Sequence, residues 1–265
     1  MKRNRTRLLL LLAICSACAA DGVAFAASNA PAGMVVIAGG VFRPLFGSPT
    51  DSKEVAVPPF CLDRLPVTNG DFLEFVQANP GWQRSRVKRL FADEWYLKNW
   101  AGDVTLGTNA PPAGPGTFVS WFAARAYAQW KGKRLPATAE WELAAAASAT
   151  GPDGKNDPEF QRQLRAWYSA PSRKLASVGV GQPNHWGAYD LHGLVWEWVS
   201  DFNAAMVTGD ARADSELDRD LFCGSGAVGA RNLTDYAAFM RYGFRSSLKA
   251  DYCIHNLGFR CAKDL

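Results

Sequence analysis

Asp190 and Glu197 stand seven residues apart in the stretch Gly187–Trp198, which reads Gly-Ala-Tyr-Asp-Leu-His-Gly-Leu-Val-Trp-Glu-Trp. Between them Gly193 permits a tight turn, and such a turn leaves several backbone carbonyls free to point inward. Carboxylates mixed with carbonyls are the donor set that hard divalent cations such as calcium favour. Trp196 and Trp198 flank Glu197, which places this acid in an aromatic, half-buried setting. A carboxylate there needs a partner, because desolvating an unpaired charge is expensive. The spacing alone also suits a surface turn carrying two solvated acids.

Few other residues offer chemistry. The histidines are His185, His192 and His255, and the seven-residue spacing of the first two fits no usual ligand motif, so they read as turn or surface residues. Neither a Gly-x-Ser-x-Gly nucleophile elbow nor a phosphate-binding loop occurs. Among the cysteines after residue 26 no Cys-x-x-Cys occurs either, which argues against a zinc ribbon or a thioredoxin-type site.

The N-terminus reads as a leader. Lys2, Arg3, Arg5 and Arg7 precede the apolar run Leu8–Ile14, and Ala24-Phe25-Ala26 offers a small-x-small cleavage site, so residues 1–26 are expected to be a secretory signal peptide. That run is too short to span a bilayer, and nothing later reaches transmembrane length. A rival reading makes Cys15-Ser16-Ala17-Cys18 a lipoprotein site that leaves Cys18 acylated; its atypical first cysteine ranks it second. The expected location is periplasmic or secreted. The leader carries those four basic residues and one acid, Asp21, so removing it drops the net charge from +4 to +1. The residual charge gives no support to nucleic-acid binding. Cys61, Cys223, Cys253 and Cys261 survive cleavage, and in an oxidising compartment disulfides among them are expected, in one of three full pairings. Cys223 is a candidate nucleophile, with a disulfide half the favoured role.

The elements that must position these residues read as one irregular α+β domain over residues 27–265. Val35–Phe42 is a strand kinked at Gly39-Gly40, and Val55–Leu62 is an edge strand interrupted by Pro58-Pro59. Thr68 with Asp71 predicts a capping box before the apolar stripe Phe72, Phe75 and Val76. Trp82–Trp100 reads as a solvated basic face over a buried aromatic one. Ser120 caps a helix that Gly132 ends. A third helix follows Pro136, its start shifted to a Thr138 cap because Ala137 has no hydroxyl. Gly151–Pro158 reads as a mobile loop, and Leu257–Ala262 as the last strand.

Gly187-x-Tyr189-Asp190-Leu191-x-Gly193-x-Val195-Trp196-Glu197-Trp198 resembles the central signature of the formylglycine-generating enzyme, or sulfatase-modifying-factor, family. Met34–Phe42, Pro66-Val-Thr-Asn69, Val119-Ser-Trp121, Gly132-Lys-Arg-Leu-Pro136 with Glu140-Trp-Glu142, and Asn256-Leu-Gly-Phe-Arg260 follow the same family's order. Arg86–Ala92 and Tyr242–Ser247 are similar to a non-classical exported branch, which includes accessory proteins encoded beside copper nitrite reductases and a periplasmic protein of siderophore maturation.

The resemblance implies an irregular α+β fold related to C-type lectins, with adjacent first and last strands and Phe239–Ser246 as a late strand. It implies a structural calcium ion held by the side chains of Asp190 and Glu197 and the carbonyls of Gly193 and Val195; Leu194, where the family prefers Asn, is the local departure. No acids match the family's other calcium site near Gly151–Pro158, so that site is expected to be missing. Ser225 matches the family's active-site serine and Trp196 its pocket tryptophan; Arg241 and Arg245 can add positive charge nearby, with a salt bridge the favoured role for both, and Trp196, Ser225 and Arg245 are the expected substrate-binding set. In catalytic members two cysteines after the Gly-Gly-Ser block bind copper and activate oxygen. Residues 226–238 hold no cysteine, so a soft copper site is not expected. Nor is the histidine-held iron of another branch. These readings imply a monomeric periplasmic accessory or maturation factor for an exported redox enzyme or peptide; the alternative is an oxidoreductase with a recruited metal acting on a peptide-like substrate.

Overall fold

The chain turns its first corner at Gly39, and the kink expected in Val35–Phe42 is a complete break between β1 (Met34–Ile37) and β2 (Gly40–Phe42). Gly39 has φ +78°, and a Cβ there would lie 2.5 Å from the Val57 carbonyl oxygen, so only glycine fits. The computed structural model describes residues 30–44, 54–169, 175–203 and 233–265. The leader, Cys18, Cys223 and Ser225 lie outside the described residues.

Pro58-Pro59 breaks the next strand in the same way, into β3 (Val55–Val57) and β4 (Phe60–Asp63). The four pieces pair across the corner: β2 with β3, Val41 opposite Ala56, and β1 with β4, Val36 opposite Cys61. The other side of β4 takes β7 (Ala262–Asp264), which gives an antiparallel sheet in the order β1-β4-β7. This corrects the expected edge position, since β4 is central. The prolines lie between strands, where no ladder donor is needed. The first and last strands both flank β4, roughly 10 Å apart, as expected. The predicted last strand is also split, into β6 (Leu257–Gly258) and β7.

Local signals place the first helices. In α1 (Asn69–Ala78) the Thr68 hydroxyl accepts from Asp71 N at 3.0 Å while Asp71 Oδ2 accepts from Thr68 N at 3.0 Å. Phe72 is buried, with Phe75, Trp100, Tyr127 and Phe259 ring centroids 5.3–6.3 Å away. Ser120 Oγ accepts from Ala123 N at 3.2 Å to start α2 (Trp121–Trp130), and Gly132 ends it at φ +66°.

The start of α3 (Thr138–Ala145) is not shifted: Ala137 keeps the cap position, and Glu140 Oε2 accepts from its backbone N at 2.7 Å. Asp201 supplies the missing side-chain oxygen from elsewhere in the chain, accepting from Thr138 N at 2.7 Å and Thr138 Oγ1 at 2.8 Å. Asp201→Ala is therefore expected to cost about 1 kcal/mol in urea unfolding; an unchanged midpoint would show that this distant cap contributes nothing.

Two elements differ from the sequence reading. Helix α4 (Pro158–Tyr168) was not anticipated; Asp157 Oδ1 caps it, accepting from Glu159 N and Phe160 N at 3.0 and 3.2 Å. The loop before it is tied down, with Gly154 N donating to Ala146 O at 2.7 Å. The expected late strand at Phe239–Ser246 is instead part of α5 (Leu233–Ser246). It packs on α4, where Ala237 is buried with Phe160 and Leu164.

Cys61, Cys253 and Cys261 are buried free thiols, so the disulfide expectation fails for these three. The register explains part of this, since Cys61 faces Lys263 across β4 and β7 rather than another cysteine. Over Trp82–Trp100 the amphipathic reading holds in part: Arg86, Lys88 and Arg89 are exposed and Tyr96 and Trp100 buried, but Trp95 is 48% exposed, Phe91 half-buried, and Arg84 turns inward to donate to the carbonyls of Leu97 and Trp100 at 3.2 and 2.9 Å. No helix among the described residues is long and apolar enough to cross a membrane.

Candidate functional site

β5 (Trp196–Glu197) pairs in parallel with β6, Trp196 opposite Leu257, and this brings Arg260 against Glu197. Both side chains have no solvent exposure. Arg260 Nε donates to Glu197 Oε1 and Oε2 at 3.0 and 2.8 Å, and Nη2 to Oε1 at 2.8 Å. Trp141 Nε1 adds a fourth bond, to Oε2 at 2.7 Å. Arg260 also donates to the carbonyls of Asp63 at 3.2 Å and Tyr189 at 2.7 Å, tying the end of β4 to the central turn. The partner that Glu197 needed is this arginine. Its signal in the sequence was a charged residue inside the apolar run Leu257–Ala262.

On the turn itself, Asp190 has φ +58° and Gly193 φ +100°. Asp190 Oδ2 accepts from Gly179 N at 2.5 Å, and no ion pair reaches Asp190 among the described residues. Burial pushes its carboxyl above the usual range, against the Gly179 N–H and the charge of Arg260. Among the described residues no group of three or more His, Cys, Asp or Glu side chains is placed to hold a metal. Asp190 and the carbonyls of Gly193 and Val195 suit calcium, whereas a carboxylate has about four lone-pair positions and those of Glu197 are filled. The residues fit a calcium ion only where Glu197 gives up one of these bonds.

His192 is not a surface residue, which corrects the sequence reading. Its Nε2 lies 2.8 Å from Ala145 O, and its ring meets Trp141 and Phe160 edge to face. Burial, with the charge of Arg241, pulls its pKa down to about 4, so the imidazole is neutral at pH 7. His185 and His255 are exposed.

Beside the turn lies a narrow cleft lined by Trp196, Phe244, Trp167, Tyr168, Arg241 and Arg245, among others. Trp196 and Arg245, two of the three expected substrate-binding residues, both line it, and Ser225 lies outside the described residues. Trp196 stacks on Phe244 at 4.5 Å, and Tyr168 meets it edge-on at 5.9 Å. Behind the cleft Glu142 binds both arginines: Arg241 Nη2 donates to Oε2 at 2.7 Å and Arg245 Nη1 to Oε1 at 2.6 Å. Arg241 Nη1 also donates to the Tyr168 hydroxyl at 2.8 Å. Both guanidiniums lie over the Trp141 ring, at 5.4 and 4.9 Å. Burial works against ionisation of Glu142, but the two guanidinium charges outweigh it and hold the carboxyl down at about 2. The sequence reading missed Glu142, on α3, and Trp167 and Tyr168, on α4, as site residues, because tertiary packing alone brings α3, α4 and α5 together at the cleft.

The sulfatase-modifying factor enzyme 1-like domain matches residues 21–265. This chain belongs to that family. Inactive C-alpha-formylglycine-generating enzyme 2 of Bos taurus is 32% identical over 274 residues, covering 86% of this chain and 87% of the relative. Formylglycine-generating enzyme of Thermomonospora curvata is 29% identical, covering 88% and 93%. PvdO from Pseudomonas aeruginosa has the same fold at a TM-score of 0.51 and 21% identity, over 88% of this chain and 94% of PvdO. Sulfatase-modifying-factor relatives thus include both an active enzyme and one named inactive, so membership alone does not decide activity, and the site must.

Proposed function

We propose that this chain is an exported, periplasmic accessory protein that binds and helps mature a redox enzyme or peptide, and that it does not generate formylglycine. The observation that carries this reading is the chemistry of the cleft. It presents aromatic faces and guanidiniums, and none of its lining residues is a cysteine. The cysteine pair that would hold copper is missing from residues 226–238. Cys61, Cys253 and Cys261 are buried elsewhere, and burial raises all three thiols above their ordinary value, which disfavours the reactive thiolate. Incubation of the purified protein with copper, oxygen and a cysteine-containing peptide is expected to leave the peptide mass unchanged. Cysteine converted to formylglycine, or stoichiometric copper or iron accompanied by oxygen uptake, would overturn this in favour of an oxidoreductase.

The same reading keeps a structural calcium ion on the turn, held by Asp190, the carbonyls of Gly193 and Val195, and one oxygen of Glu197 shared with Arg260. Because a ligand bound only to the folded state stabilises it by mass action, chelation is expected to lower the melting temperature. Glu197→Gln should remove that calcium dependence. Melting curves that coincide in chelator and in calcium would rule the ion out.

A further inference from the structure

Counting charge in the cleft shows an imbalance. Arg241 and Arg245 share one carboxylate, Glu142, and the three side chains are buried, with exposures of 7%, 9% and 9%. Arg260 and Glu197 cancel each other. Nearby His192 adds no charge, because its Nε2–H is used on Ala145 O and the ring is neutral at pH 7. One guanidinium charge is left over among the described residues. Arg241 is held by Glu142 and Tyr168, whereas Arg245 makes one side-chain hydrogen bond among the described residues, through Nη1 to Glu142, and lines the cleft. An uncompensated buried charge is costly. Among the described residues Glu142 is the one carboxylate that reaches the two arginines.

We infer that Arg245 is the specificity residue of the cleft and that it receives a carboxylate of the ligand, with Trp196 and Phe244 covering an apolar group beside it. This rests on the reading of the cleft as the binding site. A carboxylate suits the position because it is planar and matches the guanidinium fork, and the walls around it are flat rings. The carboxylate can belong to a peptide C-terminus or to an acidic side chain.

The test uses the full chain after leader removal and four probes, with binding followed by calorimetry. N-acetyl-phenylalanine carries a terminal carboxylate, N-acetyl-phenylalanine amide carries none, N-acetyl-aspartyl-phenylalanine amide carries it on a side chain, and inorganic sulfate is a tetrahedral anion. At least one carboxylate probe is expected to bind about ten-fold or more tightly than the neutral amide. Which of the two does so identifies the source. Arg245→Gln should abolish that preference and Arg245→Lys should retain part of it, while Trp196→Ala weakens acid and amide alike. Arg241 remains on Glu142 in both arginine variants, and matching melting curves confirm that they fold. Equal binding of acid and amide, both lost in Trp196→Ala, would overturn the carboxylate assignment and leave the cleft reading standing. Binding indifferent to both positions would remove the cleft reading as well. Preference for sulfate over both carboxylates, or no binding of any probe, also overturns the assignment.

Discussion

Glu197→Gln is expected to cost about 3–5 kcal/mol of folding stability, the range for removing one partner of a buried ion pair. The variant keeps the shape of the side chain but takes from the Arg260 guanidinium, which has no solvent exposure, the carboxylate it is bonded to. It also weakens the join between β5, β6 and the end of β4, because Arg260 reaches the Asp63 and Tyr189 carbonyls from the same position. Urea unfolding of the wild type and the variant checks this, and a loss under about 1 kcal/mol would contradict it. The double change Glu197→Leu with Arg260→Met separates pair from charge. Replacing both partners by apolar groups removes the stranded charge, so the double variant should lose less than the two single variants combined.

Glu142→Gln should be as damaging, again about 3–5 kcal/mol, because two buried guanidiniums then face each other with no carboxylate between them. This loss carries a pH signature. The Glu142 carboxyl sits at about 2 in the folded chain against an ordinary 4.5, so its folded-state value is depressed. A depressed acid stabilises the fold above its unfolded value and loses that contribution as pH falls through the folded one. The stability difference between wild type and variant should be constant from neutral pH down to about 5 and shrink steadily toward pH 2. Other carboxylates titrate in the same window, and taking the difference cancels them. A gap that stays constant to pH 2 would show that Glu142 does not hold the two arginines through its charge.

Short-range chemistry was legible in the sequence. The Thr68–Asp71 capping box, the Ser120 cap, the stop at Gly132 and the break at Gly39 each depend on residues within a turn of one another, so spacing along the chain determines them. The family blocks likewise pointed to the family whose model matches residues 21–265, and Trp196 and Arg245 line one cleft. What the sequence did not decide lies across long separations. Glu197 meets Arg260 from 63 residues away, and Glu142 meets Arg241 and Arg245 from 99 and 103 residues away. An acid in an aromatic run announces only that it needs a partner, since burial makes solitude expensive. Whether an arginine meets it depends on which strand lies alongside. The same holds for residues 239–246, which the family resemblance implied to be a strand and which pack on α4 as a helix, with Ala237 packed on Phe160 and Leu164. His192 and Ala137 complete the contrast: one is buried by α4, and the other is relieved of its missing hydroxyl by Asp201, 63 residues from Thr138. Hydrogen-bond geometry within a turn is written in local order, whereas desolvation and charge pairing are set by neighbours that only folding brings together.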